Sequence, residues 1–285
     1  MPTVREVLAE AAQALRGSGI DTARLDAEVL LAFILNVSRT DLYIRIDRVI
    51  PDNKLGEYFS VVARRSRREP VAYITGEKEF MSLSFLVNRD VLIPRPETEV
   101  MVEWVIERAG PGQVIVDVGT GSGAIAVSIA KYLPGVHMWA VDISDAALRV
   151  ARENAHRLGV PDKIQFLNSS LLDGIPASLC GKVDWIIANL PYIPSAEVSG
   201  LQTEVSGYEP YIALDGGADG LDLYRKLVNP AFELLAKGGC FCLEMGAAQT
   251  NGLMKLLPEE KWGQGIQVLQ DYAGLDRFIV IHKKT

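Results

Sequence analysis

Val114-Ile115-Val116-Asp117-Val118-Gly119-Thr120-Gly121-Ser122-Gly123 is the stretch on which the reading of the fold turns. Val114 to Val116 form a short apolar, β-branched run that reads as a buried strand. The glycines behind it permit a tight turn and let a ligand approach the backbone where a Cβ would block it. Residues 124–132 continue as an apolar helix, and residues 136–141 form a second strand ended by Asp142. That acid lies 21 residues beyond Gly121, where a carboxylate accepts hydrogen bonds from the hydroxyls of a ribose. The combination predicts a nucleoside-bearing cofactor and leaves its kind open. Gly119-x-Gly121-x-x-Ala124 satisfies the dinucleotide fingerprint, whereas Gly119-x-Gly121-x-Gly123 behind the acidic Asp117 suits S-adenosylmethionine.

Strand and helix signals alternate outward from this stretch. Helices are predicted over 146–158 and 221–235, and strands over 164–167, 183–188, 240–244 and 278–281. Repeated βα units imply a doubly wound, mostly parallel, Rossmann-like sheet. Toward the amino terminus the period is helical. Val4, Val7, Leu8, Ala11, Ala12 and Leu15 recur on one face, a second helix begins near Asp21-Thr22, and a third follows Pro51. The third ends in Arg64-Arg65-Ser66-Arg67-Arg68, which reads either as a solvated helix end or as a docking patch for an acidic partner. Residues 1–75 therefore form a small helical domain whose functional role would be partner recognition. Between 76 and 93 the period changes to alternation, with Asn88-Arg89-Asp90 as the turn before Val91-Leu92-Ile93, so a β-hairpin linker is expected. Residues 94–285 form the larger domain. It opens on Pro94-Arg95-Pro96-Glu97-Thr98-Glu99, a stiff loop whose acids start a helix over 98–108.

Composition narrows the function classes. Hydrophobic residues make up 48% and charged residues 23% of the 285, as in an ordinary globular protein with a sizeable core. No apolar stretch approaches the roughly 20 residues that span a bilayer, and no secretion segment is visible, so a cytoplasmic protein without membrane contact is expected. Three cysteines, Cys180, Cys240 and Cys242, form neither a disulfide framework nor a metal cluster, and no metal site is expected. The net charge of −7 argues against a stable grip on a nucleic-acid backbone.

The chemistry concentrates at Asn189-Leu190-Pro191-Tyr192, directly behind the apolar run 183–188. A proline stops the strand there and leaves an Asn at the carboxyl edge of the sheet, where open α/β sheets bind ligands. The Asn189 side-chain oxygen and the Leu190 carbonyl can each accept a hydrogen bond, and two converging acceptors suit a planar –NH2 group. A dehydrogenase would need a proton donor near the glycines, yet none of His137, His156 and His282 sits at a strand end beside them. The methyl-donor reading is preferred on that ground.

The chain resembles the bacterial release-factor glutamine methyltransferases of the PrmC/HemK family. The resemblance is carried by residues 68–76 and by Val91-Leu92-Ile93-Pro94-Arg95-Pro96-Glu97-Thr98-Glu99. It continues through the glycines with Asp142, Asn189 to Tyr192, Glu209-Pro210, residues 217–221, Glu244-Met245-Gly246 with Gln249, and Gly274-Leu275-Asp276-Arg277. It implies a class I S-adenosylmethionine-dependent methyltransferase that acts as a monomer on the glutamine amide of the Gly-Gly-Gln motif in class I peptide chain release factors. S-adenosyl-L-methionine would be the donor and S-adenosyl-L-homocysteine the product. Gly119, Thr120, Gly121, Ser122, Gly123, Asp142, Leu171 and Asn189 would hold the cofactor. Asn189, Leu190, Pro191 and Tyr192 would be catalytic, and with Arg95 and Glu97 would bind substrate. Two positions depart from the family pattern. Leu190 stands where a first proline is usual, which removes stiffness but keeps the carbonyl. Ser170-Leu171 stands where an acid and an aromatic are usual, so weaker cofactor binding or a substitute contact is expected. The rival readings are an adenine-N6 methyltransferase of DNA or RNA, which shares the acceptor geometry, and a non-catalytic adenosine-ligand-binding protein.

Overall fold

A computed structural model describes residues 2–262 and 265–284. Two compact units emerge: one holds the chain up to Glu77 together with Gln202–Tyr208, the other Lys78–Leu201 and the chain from Glu209 onward.

The first unit is helical: α1 (Val4–Gly17), α2 (Ala23–Leu35), α3 (Arg39–Ile44), α4 (Asp52–Ser66) and α5 (Val71–Thr75). The predicted face of α1, from Val4 to Leu15, is buried against α2 and α4. Its start is fixed by a capping box, in which the Thr3 hydroxyl accepts from Glu6 N and the Glu6 carboxylate accepts from Thr3 N. The arginine run is not the solvated helix end considered above. Arg65 is only 6% exposed and donates to Asp26 at 2.7 Å, Glu204 at 2.9 Å and the Glu69 carbonyl at 3.3 Å. Arg64 is paired with Glu69 and Arg68 with Glu204. Asp26 and Glu204 come from distant parts of the sequence, which a local reading cannot bring together. Through Glu204 the short segment 202–208 is tied into the helical unit.

The larger unit opens with a hairpin, β1 (Glu77–Phe80) and β2 (Leu83–Leu86). The turn lies at Met81 and Ser82, both left-handed (φ 52° and 56°), as a two-residue hairpin turn requires. The expected turn at Asn88-Arg89-Asp90 exists, with the Asn88 side chain accepting from Asp90 N, but Val91 to Ile93 form no strand. Ile93 N is instead taken by the Glu209 carboxylate at 3.3 Å.

After α6 (Pro96–Ile106) the βα alternation runs as predicted: β3 (Val114–Val118), α7 (Ala124–Tyr132), β4 (His137–Asp142), α8 (Asp145–Arg157), β5 (Ile164–Asn168) and β6 (Val183–Ala188). Two short helices follow, α9 (Ser195–Val198) and, in the segment held by the helical unit, α10 (Thr203–Ser206). Then come α11 (Asp222–Leu234), β7 (Leu235–Glu244), β8 (Gln267–Gln270) and β9 (Asp276–His282). The sheet order is β5-β4-β3-β6-β7-β9-β8, parallel through β7 and antiparallel in β9 and β8. Strand residues alternate between two cores. Ile115 and Ile187 face Met101, Val105 and Ile129, while Val116 and Ile186 face Tyr224, Leu227 and Ala231. Helices thus cover both faces, which gives the doubly wound architecture expected from the sequence.

The chain runs from β3 outward to β5 and then returns to the other side of β3, so the strand order reverses between β3 and β6. Ligands bind at such a switch point, beyond the carboxyl ends of the strands. Register fixes what arrives there. Val118 lies opposite both Val141 and Ala188, and Ala188 opposite Leu243. One residue further along, Asp142, Gly119, Asn189 and Glu244 therefore form a row across the sheet edge.

Removing the buried Arg65 strands two carboxylates, and breaking a buried ion pair in this way costs about 3–5 kcal/mol. Arg65→Ala is predicted to lower unfolding stability by that order in urea titration; a loss below ~1 kcal/mol would contradict the buried-network description.

Candidate active site

The row of strand ends opens into a cleft of about 410 Å³ lined by Gly119, Gly121, Asp142, Leu171, Asn189 and Tyr211, among others. The three loop glycines are left-handed (φ 76°, 54° and 81°), and they do different things. A Cβ on Gly121 would meet nothing within 4 Å, so its face is open. On Gly119 it would come within 2.9 Å of Leu190 Cδ2, and on Gly123 within 3.1 Å of Ala151 Cβ. Gly123 thus serves helix packing at the start of α7.

The polar side chains of the loop turn inward. Thr120 and Ser122 are buried, and the Thr120 hydroxyl donates to Asp117 at 2.6 Å. Both residues border a smaller neighbouring cavity, together with Arg95 and Asn189. Burial pushes the Asp117 carboxyl up to about 7, against the opposing Thr120 hydrogen bond. Its Oδ1 is buried and has no hydrogen-bond partner. Asp142 is also raised by burial, offset by backbone N–H donors. Its Oδ2 accepts from Gly121 N at 2.9 Å and its Oδ1 from Ser144 N at 2.9 Å. Each oxygen keeps a lone pair for a further donor. Leu171 lines the cleft in a left-handed conformation (φ 49°), an uncommon one for a leucine.

Asn189 borders both cavities. Its Nδ2 donates to the Thr98 hydroxyl at 3.2 Å, and that hydroxyl donates to Glu244 Oε2 at 2.7 Å. Asn189 Oδ1 is left for an incoming donor. The departure at Leu190 is accommodated by packing: its side chain is buried beside Gly119, which supplies the restraint that a proline ring would give. The Leu190 carbonyl lies 3.4 Å from the Tyr224 hydroxyl, which donates chiefly to the Glu244 carbonyl. The Tyr192 hydroxyl reaches Glu244 Oε1 at 3.4 Å, and its carbonyl accepts from Gln249 Nε2 at 2.8 Å. Tyr192 therefore supports the loop from behind. Burial pushes the Glu244 carboxyl up to about 7; Thr98, Arg277 and Tyr192 oppose the shift and Glu97 adds to it.

Arg95 is committed to Glu209 at 2.6 Å, and the same carboxylate takes Ile93 N. Glu209 thus staples the 93–95 loop at the rim of the smaller cavity, while Glu97 borders neither cavity. Thr98, Glu209, Tyr224 and Glu244 were not singled out as site residues from sequence. Thr98 reads there as a helix start, and Glu244 as the last residue of a strand.

The PrmC N-terminal domain family matches residues 6–76. The chain is 44% identical to the release factor glutamine methyltransferase of Moorella thermoacetica, over 99% of both chains. The chain belongs to the release factor glutamine methyltransferase family. The relative from Geobacter sulfurreducens is 39% identical over 97% of this chain and 95% of its own. A ribosomal protein L11 methyltransferase family (PrmA) also matches residues 95–193, the part that carries the glycine loop and Asn189. A solved methyltransferase from Pyrococcus furiosus superposes with a TM-score of 0.55 at 17% identity, over 78% of this chain and 99% of that one, which shows the methyltransferase fold. The family's members here are methyltransferases, so the chain is an enzyme of that class.

Gly119→Ala combines an unfavourable φ, worth about 1–2 kcal/mol, with a collision against Leu190. It is predicted to lower the melting temperature, and by less when it is introduced into a Leu190→Ala background than into the unsubstituted protein. Equal melting temperatures for Gly119→Ala and the unsubstituted protein would contradict the packing of Leu190 on the glycine.

Proposed function

We propose that the protein transfers a methyl group from S-adenosyl-L-methionine to the side-chain amide nitrogen (N5) of the glutamine in the Gly-Gly-Gln motif of class I peptide chain release factors. The observation that carries this reading is the Asn189 side chain, which lines the cleft together with Leu190 and is tied through Nδ2 to Thr98, leaving Oδ1 to accept. An amide –NH2 needs two acceptors in this arrangement. Full-length similarity to release factor glutamine methyltransferases supports the substrate.

The cleft residues fit the cofactor. Gly121 offers open backbone, Asp142 has lone pairs for ribose hydroxyls, and Leu171 supplies an apolar face for the adenine. When bound, the donor supplies a sulfonium methyl group and becomes S-adenosyl-L-homocysteine as the methyl carbon bonds to nitrogen. Asn189 Oδ1 and the Leu190 carbonyl hold the two amide hydrogens. That aims the weakly nucleophilic nitrogen and favours the positive charge it develops. One amide proton then passes to solvent, and no strong base is needed. Leu190 and Pro191 shape the loop, Tyr192 braces it against Glu244, and the Arg95–Glu209 pair holds the rim.

The helical unit is proposed to recognise the release factor. It exposes Tyr43, Ile44 and Val49 near Arg45, Arg48 and Lys54, which border a cavity of about 200 Å³. The enzyme is proposed to work as a cytoplasmic monomer without a stable nucleic-acid partner. In the direct test, labelled donor is offered with an intact release factor, a factor whose motif Gln is changed to Ala, and DNA. Label on the intact factor alone is expected. Label on DNA alone would transfer the assignment to an adenine-N6 methyltransferase, and binding of the donor without any label would favour the non-catalytic reading.

Asn189→Ala is predicted to reduce kcat by about 10²–10³-fold, the range found when one preorganised hydrogen-bonding group is removed. Affinity for S-adenosyl-L-homocysteine should fall far less than kcat, because Asn189 is one of several residues lining the cleft. An undiminished rate would contradict the role of Asn189.

A further inference from the structure

We propose that Thr98 and Glu244 are positioning residues that set the polarity of the Asn189 amide, so that Oδ1 and not Nδ2 meets the substrate. The proposal rests on the reading of Asn189 as an acceptor for the glutamine –NH2.

An asparagine side chain is ambiguous in its polarity. Its side-chain oxygen and nitrogen are nearly equal in size, so packing alone barely distinguishes the two amide orientations. For this reaction they are opposites. With Oδ1 outward the site accepts an –NH2, whereas with Nδ2 outward it opposes donor to donor. Something must therefore choose between them.

The choice is made by a chain of three groups from three elements. Glu244 ends β7 beside Asn189 in the strand register, and Thr98 descends from the first turn of α6. Thr98 and Glu244 are 4% and 1% exposed, so water does not compete for their hydrogen bonds. An ionised carboxylate can only accept. The Thr98 hydroxyl therefore spends its single proton on Glu244 Oε2, at 2.7 Å, and has only lone pairs left for Asn189. Asn189 must answer with Nδ2, as the 3.2 Å contact shows. The outward orientation of Oδ1 follows from the charge on a carboxylate two hydrogen bonds away.

Glu244 is braced for this task on every side. The Tyr192 hydroxyl approaches Oε1 from the loop behind β6, and the Tyr224 hydroxyl of α11 donates to the Glu244 backbone carbonyl. Arg277 of β9 adds positive potential and Glu97 of α6 negative potential. The balance holds the carboxyl near neutrality, at about 7. Once protonated, Glu244 can donate to Thr98, whose own proton can then turn to Asn189 Oδ1. The amide would reverse, and –NH2 would face –NH2. The ionised form of Glu244 is thus the active one, and kcat should fall as pH falls through that value.

The test uses the full-length protein and an intact release factor, with kcat and KM followed from pH 6 to 8.5 and S-adenosyl-L-homocysteine affinity measured in parallel. Thr98→Val keeps the shape and removes the hydroxyl. It should lose about 10–100-fold in kcat, as expected of a misaimed catalytic group, with little change in S-adenosyl-L-homocysteine affinity. Thr98→Ser restores the hydroxyl and should recover most of the rate along with the acid limb. Glu244→Gln, like the protonated acid, can present a donor to Thr98 and cannot titrate, so it should lose rate at every pH and show no acid limb. Wild-type rate in Thr98→Val, equal losses in Thr98→Ser and Thr98→Val, or an unchanged acid limb in Glu244→Gln would each overturn the relay while leaving the methyl-transfer reading intact. Failure of the unsubstituted enzyme to label the release factor would overturn that reading and the relay with it.

Discussion

The in-register pairing of β3, β6 and β7 is the constraint on which the site depends. Parallel strands about 4.8 Å apart bring residues one step beyond their last paired positions into a row. Here the row contains Gly119, Asn189 and Glu244, with Asp142 on the far side of Gly119. A slip of one residue in β6 would turn the Asn189 side chain to the other face, and every contact described for it would be lost. Cofactor loop, acceptor and buried carboxylate are therefore consequences of one register.

Charge burial is the second theme. Asp117 and Glu244 lie at the edge of the same sheet, and both carboxyls are pushed up to about 7 by burial. Each is supported by a threonine hydroxyl, Thr120 for Asp117 and Thr98 for Glu244. The two acids stand on opposite sides of the β3–β6 switch point, one under the cofactor loop and one behind the acceptor loop. Groups whose ionisation is poised near neutrality gather at functional sites because protein burial and a few directed hydrogen bonds can tune them there.

Much of this was legible in the sequence, because the strong signals are periodic or local. The apolar runs of β3 and β6, the helix over residues 124–132, the glycine loop and the strand-ending Asp142 and Asn189 all stand at their predicted places. The parts that were missed depend on long-range pairing. Met81-Ser82 lacks the Gly, Asn or Asp that announces a two-residue turn, so the local signal points to Asn88 instead. β8 is a four-residue edge strand with Gln at both ends, too short for a visible alternation. Arg65 looked like a solvated cation because Asp26 and Glu204 are remote in sequence. Thr98 had a sufficient local explanation as a helix start, and Glu244 as a strand end; only their meeting at 2.7 Å gives them a role. Leu190 is the converse case. It departs from the family pattern, and its packing on Gly119 is what makes the departure tolerable.

Two acceptors, Asn189 Oδ1 and the Leu190 carbonyl, are proposed to hold the amide nitrogen of a glutamine at this sheet edge. A crystal structure of the enzyme with S-adenosyl-L-homocysteine and an intact release factor would show this arrangement. The glutamine side-chain nitrogen is expected at about 2.8–3.2 Å from both acceptors. A glutamine whose carbonyl oxygen faces Asn189, or whose side chain lies away from the 189–192 loop, would contradict it.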